Sequence, residues 1–192
     1  PLSVPSIKGK EWEYVKECID TEWVSSAGKY VDLFEKNIAD YTGSKYAIAC
    51  VNGTAAIQIS LQLAGVEPGD EVIVPTLTFI ASVNAVIYNN ATPIFMDADN
   101  YYNIDTEKTI EFINDETVFK NGFTYNKNTG KKISAILPVH VWGNACLFDE
   151  LIELCKERNI AVVEDASESL GTFYNKGKYK GKHAGAIGKL GC

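Results

Sequence analysis

The sequence predicts an α/β fold, a three-layer sandwich around a mostly parallel sheet. Strand and helix signals alternate from residue 46 onward, and the run ending at Val163 is short, β-branched and uniformly apolar, as expected of a strand covered by helices on both faces. The elements follow in order. Trp12, Val15, Ile19 and Trp23 recur every three or four positions, as do Tyr30, Val31, Phe34, Ile38 and Tyr41, so two amphipathic helices open the chain. The small polar link Val24-Ser25-Ser26-Ala27-Gly28 separates them, and Gly43 closes the second as a C-cap. Residues 46–51 then read as a strand, 54–64 as a helix, 71–74 as a strand, 80–88 as a helix and 93–96 as a strand. After a helix near 106–113, residues 114–132 are rich in Asn, Lys and Gly and read as a surface insertion of hairpin type. Alternation resumes with a strand at 133–139, a helix at 147–158 and a strand at 160–164. Short links between such units imply right-handed crossovers.

At 192 residues, 46% hydrophobic and 22% charged, the chain fits one soluble domain or a large part of one. The net charge of −7, with basic residues scattered, argues against a nucleic-acid partner. The one basic run, Lys176-Gly177-Lys178-Tyr179-Lys180-Gly181-Lys182, suits either phosphate groups or, as the commoner case, a solvated hairpin. Five cysteines without a C-x-x-C pair or a histidine at ligand spacing predict free thiols and no metal. No apolar run approaches the ~20 residues that cross a bilayer, and no charged-then-apolar leader opens the chain, so a cytoplasmic protein without membrane contact is expected.

Three strand exits carry candidate chemistry. The run Asn159-Ile160-Ala161-Val162-Val163 ends on Glu164-Asp165-Ala166-Ser167-Glu168-Ser169-Leu170-Gly171, which puts Asp165 at the carboxyl edge of the sheet, where ligands collect. A carboxylate beside a heteroaromatic nitrogen favours the protonated ring, which turns a pyridine into an electron sink; the alternative is a simple helix cap. Asn52-Gly53-Thr54-Ala55-Ala56 joins a strand to a helix whose first N–H groups suit a phosphate, or it is an ordinary N-capped turn. Pro75-Thr76-Leu77-Thr78-Phe79 offers an aromatic face that stacks on a planar ring, or else a core phenylalanine. A phosphate site, a flat platform and a carboxylate on successive strand ends are what a pyridoxal phosphate ring requires. A nicotinamide-binding Rossmann reading fails, because no G-x-G-x-x-G follows the first strand.

Trp23-Val24-Ser25-Ser26-Ala27-Gly28, Val51-Asn52-Gly53-Thr54-Ala55-Ala56, Pro75-Thr76-Leu77-Thr78-Phe79, Pro138-Val139-His140 and Glu164-Asp165-Ala166 stand in the order of one family. The chain resembles the DegT/DnrJ/EryC1/StrS nucleotide-sugar aminotransferases, fold-type I enzymes dependent on pyridoxal phosphate, over essentially its whole length. The resemblance implies that Gly53, Thr54 and Ala55 hold the cofactor phosphate, Phe79 stacks on the ring and Asp165 pairs with the pyridinium nitrogen. Glu168 takes a position that is usually His or Gln in the family, near the cofactor's phenolic oxygen; a glutamate accepts a bond there only from a protonated oxygen, or donates one when itself neutral. His140 is either site-lining or structural, and Ser25 and Ser26 are candidate site-lining residues.

By the same resemblance, the substrates are a nucleotide-linked keto-sugar and glutamate as amino donor, in amino-sugar synthesis for a surface polysaccharide or glycan. A homodimer is implied, since family sites lie between subunits. The chain reads as the N-terminal part of the cofactor-binding large domain, with the end of that domain, the small C-terminal domain and the lysine that holds the cofactor as a Schiff base expected beyond Cys192. Lys189 lies at a position the family does not use. Two alternatives stay open: dehydration of the sugar, as in relatives that replace the lysine by histidine, and an inactive fragment.

Overall fold

The structure, a computed structural model, describes residues 4–192 and has the α/β class read from the sequence. It divides into two compact units, one running to Tyr41 and taking in Lys45–Ala49, the other formed by Thr42–Ser44 and Cys50–Cys192.

The first unit is built on two helices, α1 (Glu11–Asp20) and α2 (Lys29–Thr42). Glu17 accepts hydrogen bonds from Lys29 Nζ and Tyr30 Oη, both at 2.6 Å, and the rings of Tyr14 and Tyr30 lie 5.0 Å apart. Between the helices, Trp23 Nε1 donates to the Ala27 carbonyl at 2.6 Å. Gly28 is required there, because its φ is +145° and a Cβ would stand 1.9 Å from Trp23 Nε1. One expectation fails: residues 46–51 form no strand. Tyr46, Ile48 and Val51 are exposed, and the Ala49 N–H is taken by the Glu35 carboxylate at 2.8 Å rather than by a neighbouring strand. A continuous apolar run makes a strand only where its backbone groups find a partner.

The second unit contains α3 (Gly53–Ala64), β1 (Glu71–Pro75), α4 (Ile80–Tyr88), β2 (Thr92–Met96), α5 (Thr106–Asp115), β3 (Thr117–Lys120), β4 (Phe123–Asn126), β5 (Lys132–Ile136), α6 (Asp149–Glu157), β6 (Ala161–Glu164) and β7 (Leu190–Gly191). Strands β2, β1, β5, β6 and β7 lie side by side and are parallel. Residues 114–132 are a hairpin as read, but one that joins the sheet instead of standing apart as a surface insertion. They hold the β3–β4 hairpin, turned at Asn121 and Gly122 with φ of 52° and 82°, and β4 pairs antiparallel with β5. β4 takes Lys132 and Ile133 while β6 takes Ala135 and Ile136, so the two share one edge of β5. Asn126 Nδ2 fixes the hairpin by donating to the buried Glu71 carboxylate at 2.9 Å.

Side-chain alternation divides the core between the sheet's faces. Val72, Val74, Leu137 and Val163 pack with Ile57 and Leu61 of α3 and Val83 and Val86 of α4, whereas Ile73, Ile136 and Val162 pack with Ile113 of α5 and Leu151, Ile152 and Cys155 of α6. Each such side chain contributes about 1.5–3 kcal/mol on burial. A bulge interrupts the alternation once: Glu71 faces Ile133 but Val72 faces Ala135, leaving Ser134 as an extra residue. Past β6 the basic run forms a solvent-exposed turn closed by Tyr174 N–H to the Lys182 carbonyl at 2.9 Å. Among the described residues no helix is long and apolar enough to cross a membrane.

Candidate functional site

Asp165 leaves the sheet already fixed through its backbone. Its N–H donates to the Pro138 carbonyl at 2.9 Å and its carbonyl accepts from His140 N–H at 3.0 Å, a parallel bridge that extends β6 beyond its last residue. The side chain is equally constrained. Oδ2 accepts from Ser82 Oγ at 2.6 Å, and Oδ1 accepts from Ser167 Oγ at 2.7 Å and Ser167 N–H at 3.2 Å. Ser82 is fully buried in the first turn of α4, within 3.2 Å of Thr78 Oγ1. Ser82 is absent from the residues the sequence singles out, although a lone hydroxyl at the start of the apolar helix IASVNAVIY is a usable signal.

The turn before α3 stands beside this carboxylate. Asn52 is the N-cap: its side chain accepts from Ala55 N–H at 2.9 Å and its carbonyl from Ala56 N–H at 3.1 Å. The N–H groups of Gly53 and Thr54 precede the first intrahelical bond, at the positive end of the helix. A Cβ on Gly53 would lie 3.3 Å from Ser167 Oγ, so the glycine turn and the turn that follows Asp165 approach each other closely. Phe79 holds the N-cap position of α4, three residues before Ser82, and is 80% exposed, which removes the core-phenylalanine alternative.

His140 is drawn away from the open edge. It is fully buried, its Nδ1 accepts from Cys146 N–H at 3.0 Å and its Nε2 lies 2.8 Å from Glu164 Oε2. With Nδ1 an acceptor, the neutral ring carries its proton on Nε2 and donates to Glu164. Glu164, also fully buried, gathers the segment leading to β7: Oε1 accepts from the N–H groups of Ile187 at 2.7 Å and Gly188 at 2.6 Å, and Oε2 from Gly185 N–H at 3.0 Å. Burial pushes the Glu164 carboxyl up, but the His140 imidazole and the Gly188 and Ile187 N–H groups outweigh it and hold the carboxyl below its ordinary range. The sequence displayed Glu164 without any sign of this role, because its partners lie 21 to 24 residues away.

Glu168 is exposed, and its Oε2 accepts from Trp142 N–H at 2.8 Å. Ala55 lies in the first turn of α3. Ser25 and Ser26 are exposed in the first unit, on the link between α1 and α2. Lys189 is not in the cluster: its Nζ donates to the Ala64 carbonyl at 3.3 Å, at the far end of α3 from Gly53. The structure thus brings Gly53, Thr54, Ala55 and Asp165 to one edge and adds Ser82 and Ser167 to them.

The model of the DegT/DnrJ/EryC1/StrS aminotransferase family matches residues 5–192. GDP-perosamine synthases of Escherichia coli O157:H7 and Caulobacter vibrioides are each 42% identical, over 99% and 97% of this chain and 47% and 45% of their own. The chain therefore spans about half the length of the curated relatives it matches. Among solved structures, a DegT DnrJ EryC1 StrS aminotransferase from Brucella abortus superposes with a TM-score of 0.80 at 28% identity, over 92% of this chain and 43% of that one. The E. coli GDP-4-keto-6-deoxy-D-mannose-3-dehydratase with bound hydrated PLP also gives 0.80, at 29% identity over 100% of this chain and 45% of that one.

Proposed function

Because the chain belongs to the DegT/DnrJ/EryC1/StrS aminotransferase family, whose solved neighbours carry pyridoxal or pyridoxamine phosphate, we propose that the full-length protein aminates a keto-sugar linked to a nucleoside diphosphate. GDP is the carrier in this reading and glutamate the amino donor, with a homodimer as the working assembly. The product feeds synthesis of a surface polysaccharide or glycan.

The observation that carries the reading is the Asp165 carboxylate, buried, held by Ser82 and Ser167, and set beside the Gly53 turn. These residues fit the cofactor. Of the roughly four acceptor sites on a carboxylate, Ser82 and Ser167 occupy three, and Oδ2 keeps one for a ring N–H. The Gly53 and Thr54 N–H groups and the Thr54 hydroxyl suit a phosphate dianion at a helix N-terminus. The exposed Phe79 supplies a flat apolar face.

When bound, the cofactor supplies an electron sink for breaking and making bonds at the carbon that carries the amino group. The chain's contribution is to keep that sink charged and still. Asp165 holds a proton on the ring nitrogen by placing negative charge against it, Ser82 and Ser167 stop the carboxylate from turning away, and the α3 terminus neutralises the phosphate.

The test is to incubate the full-length protein with pyridoxal phosphate, glutamate and a GDP-linked 4-keto-6-deoxy-hexose, following the sugar by mass spectrometry. An amino-sugar with matching 2-oxoglutarate supports the reading. Loss of water from the sugar moves it to dehydration, and an unchanged sugar overturns it. The 42% identity to proteins named as perosamine synthases favours amination over the dehydratase reading, whose structural neighbour is 29% identical.

A further inference from the structure

Two large aromatic residues near Asp165 are held in a backbone conformation that side chains of their kind rarely adopt. Trp142 has φ of +52° and Tyr102 φ of +70°, and their rings meet edge to face at 5.0 Å and 66°. Bulky residues are strained in the left-handed region and persist there where the surroundings enforce them. Here they are enforced twice. Trp142 N–H is tied to Glu168 Oε2, and the preceding Val141 N–H to Asn103 Oδ1 at 3.2 Å. The turn carrying Tyr102 is drawn in by Asp99, whose Oδ1 accepts from the N–H groups of Tyr101 and Asn103 and whose carbonyl accepts from Tyr102 N–H. The result is an outward platform: Trp142 is 67% exposed and Tyr102 49%.

From this geometry we infer that Trp142, backed by Tyr102, is the floor on which the hexose of the nucleotide sugar rests. The inference rests on the function proposed above and adds a substrate-positioning residue to it. Three observations select the hexose over the rest of the ligand. Trp142 lies two residues beyond His140, whose N–H is bonded to the Asp165 carbonyl, so the platform stands within one turn of the candidate reacting edge, where the sugar and not the base must be. The loops that build it, residues 97–105, 138–147 and 164–173, contain no Lys or Arg, which disfavours the diphosphate. Glu168 leaves Oε1 without a partner among the described residues, an acceptor for a sugar hydroxyl beside the C–H face that an indole covers.

Calorimetric titration of the full-length, cofactor-loaded protein with a GDP-linked hexose and with GDP alone tests this. Trp142→Ala weakens the GDP-hexose about tenfold, the scale of one aromatic contact, leaves GDP within about twofold, and Trp142→Phe recovers most of the loss. Equal losses for both ligands make the platform a base-stacking site and overturn the inference, as does no loss for either. A wild-type protein that aminates the sugar while Trp142→Ala binds it normally refutes the platform alone. A wild-type protein that binds GDP-hexose through Trp142 but never aminates it refutes only the reaction, and one that binds no GDP-hexose overturns both.

Discussion

The hydroxyl of Ser82 meets the carboxylate of Asp165 at 2.6 Å across 83 residues of sequence, joining the first turn of α4 to the exit of β6. The contact is buried and charge-assisted, so it orders the acid before any ligand arrives. Ser82→Ala therefore lowers unfolding free energy by about 1.5–3 kcal/mol, the cost of removing a hydrogen bond to a charged group. Urea denaturation of wild type and variant measures it. A shift under about half a kcal/mol would mean that Asp165 is held adequately by Ser167 alone.

Asp165→Ala in the full-length protein keeps the fold and reduces turnover by about a hundredfold or more, the scale of a lost preorganised electrostatic contact. Circular dichroism and steady-state rates, taken together, separate the two effects. Unchanged activity would end the assignment of Asp165 to the ring nitrogen.

Thr54→Val removes a hydroxyl from the head of α3 while preserving side-chain shape. If the phosphate lies there, cofactor retention on dialysis falls about tenfold, equivalent to one charged hydrogen bond near 1.4 kcal/mol. Retention equal to wild type would place the phosphate elsewhere.

Glu164→Gln removes the charge that accepts from His140 and three N–H groups, and costs about 1.5–3 kcal/mol near neutral pH, the scale of hydrogen bonds to a charged acceptor. The folded carboxyl lies below its ordinary value of 4.5, so its contribution is complete above that pH and is lost as pH falls through the folded value. The stability gap between wild type and Glu164→Gln is consequently constant above about pH 5 and closes in more acid solution. Denaturation curves at a series of pH values check this, and a gap that widens on acidification contradicts it.

What the sequence discloses here is chiefly what is local. The helix at Ile80–Tyr88 and the β-branched run ending at Glu164 follow from residues within one turn or one strand. What it concealed depends on distant partners. Residues 46–51 carry a strand pattern, yet strands are made by neighbours, and the Ala49 N–H found Glu35 instead. The hairpin at Thr117–Asn126 was legible as a hairpin, whereas its docking on β5 required Glu71 to receive Asn126. Asp165 was readable as a strand-exit residue and Gly53 as a turn at a helix start, though not at a strand exit, but Ser82, Ser167 and Trp142 became visible only when the chain closed around them.

Glu164 and Asp165 are consecutive acids that serve opposite faces of the sheet, one turned to His140 and the 185–188 segment, the other to Ser82 on α4. Because the side-chain period of a strand is two, an insertion or deletion of one residue in β6 would turn each acid to the other face. A deletion would carry Asp165 inward against an imidazole, and an insertion would push Glu164, one methylene longer, out to the ligand edge. Neither acid can be re-registered without displacing the other, so a change of length in this strand disturbs the anchor and the ligand-edge acid as a pair.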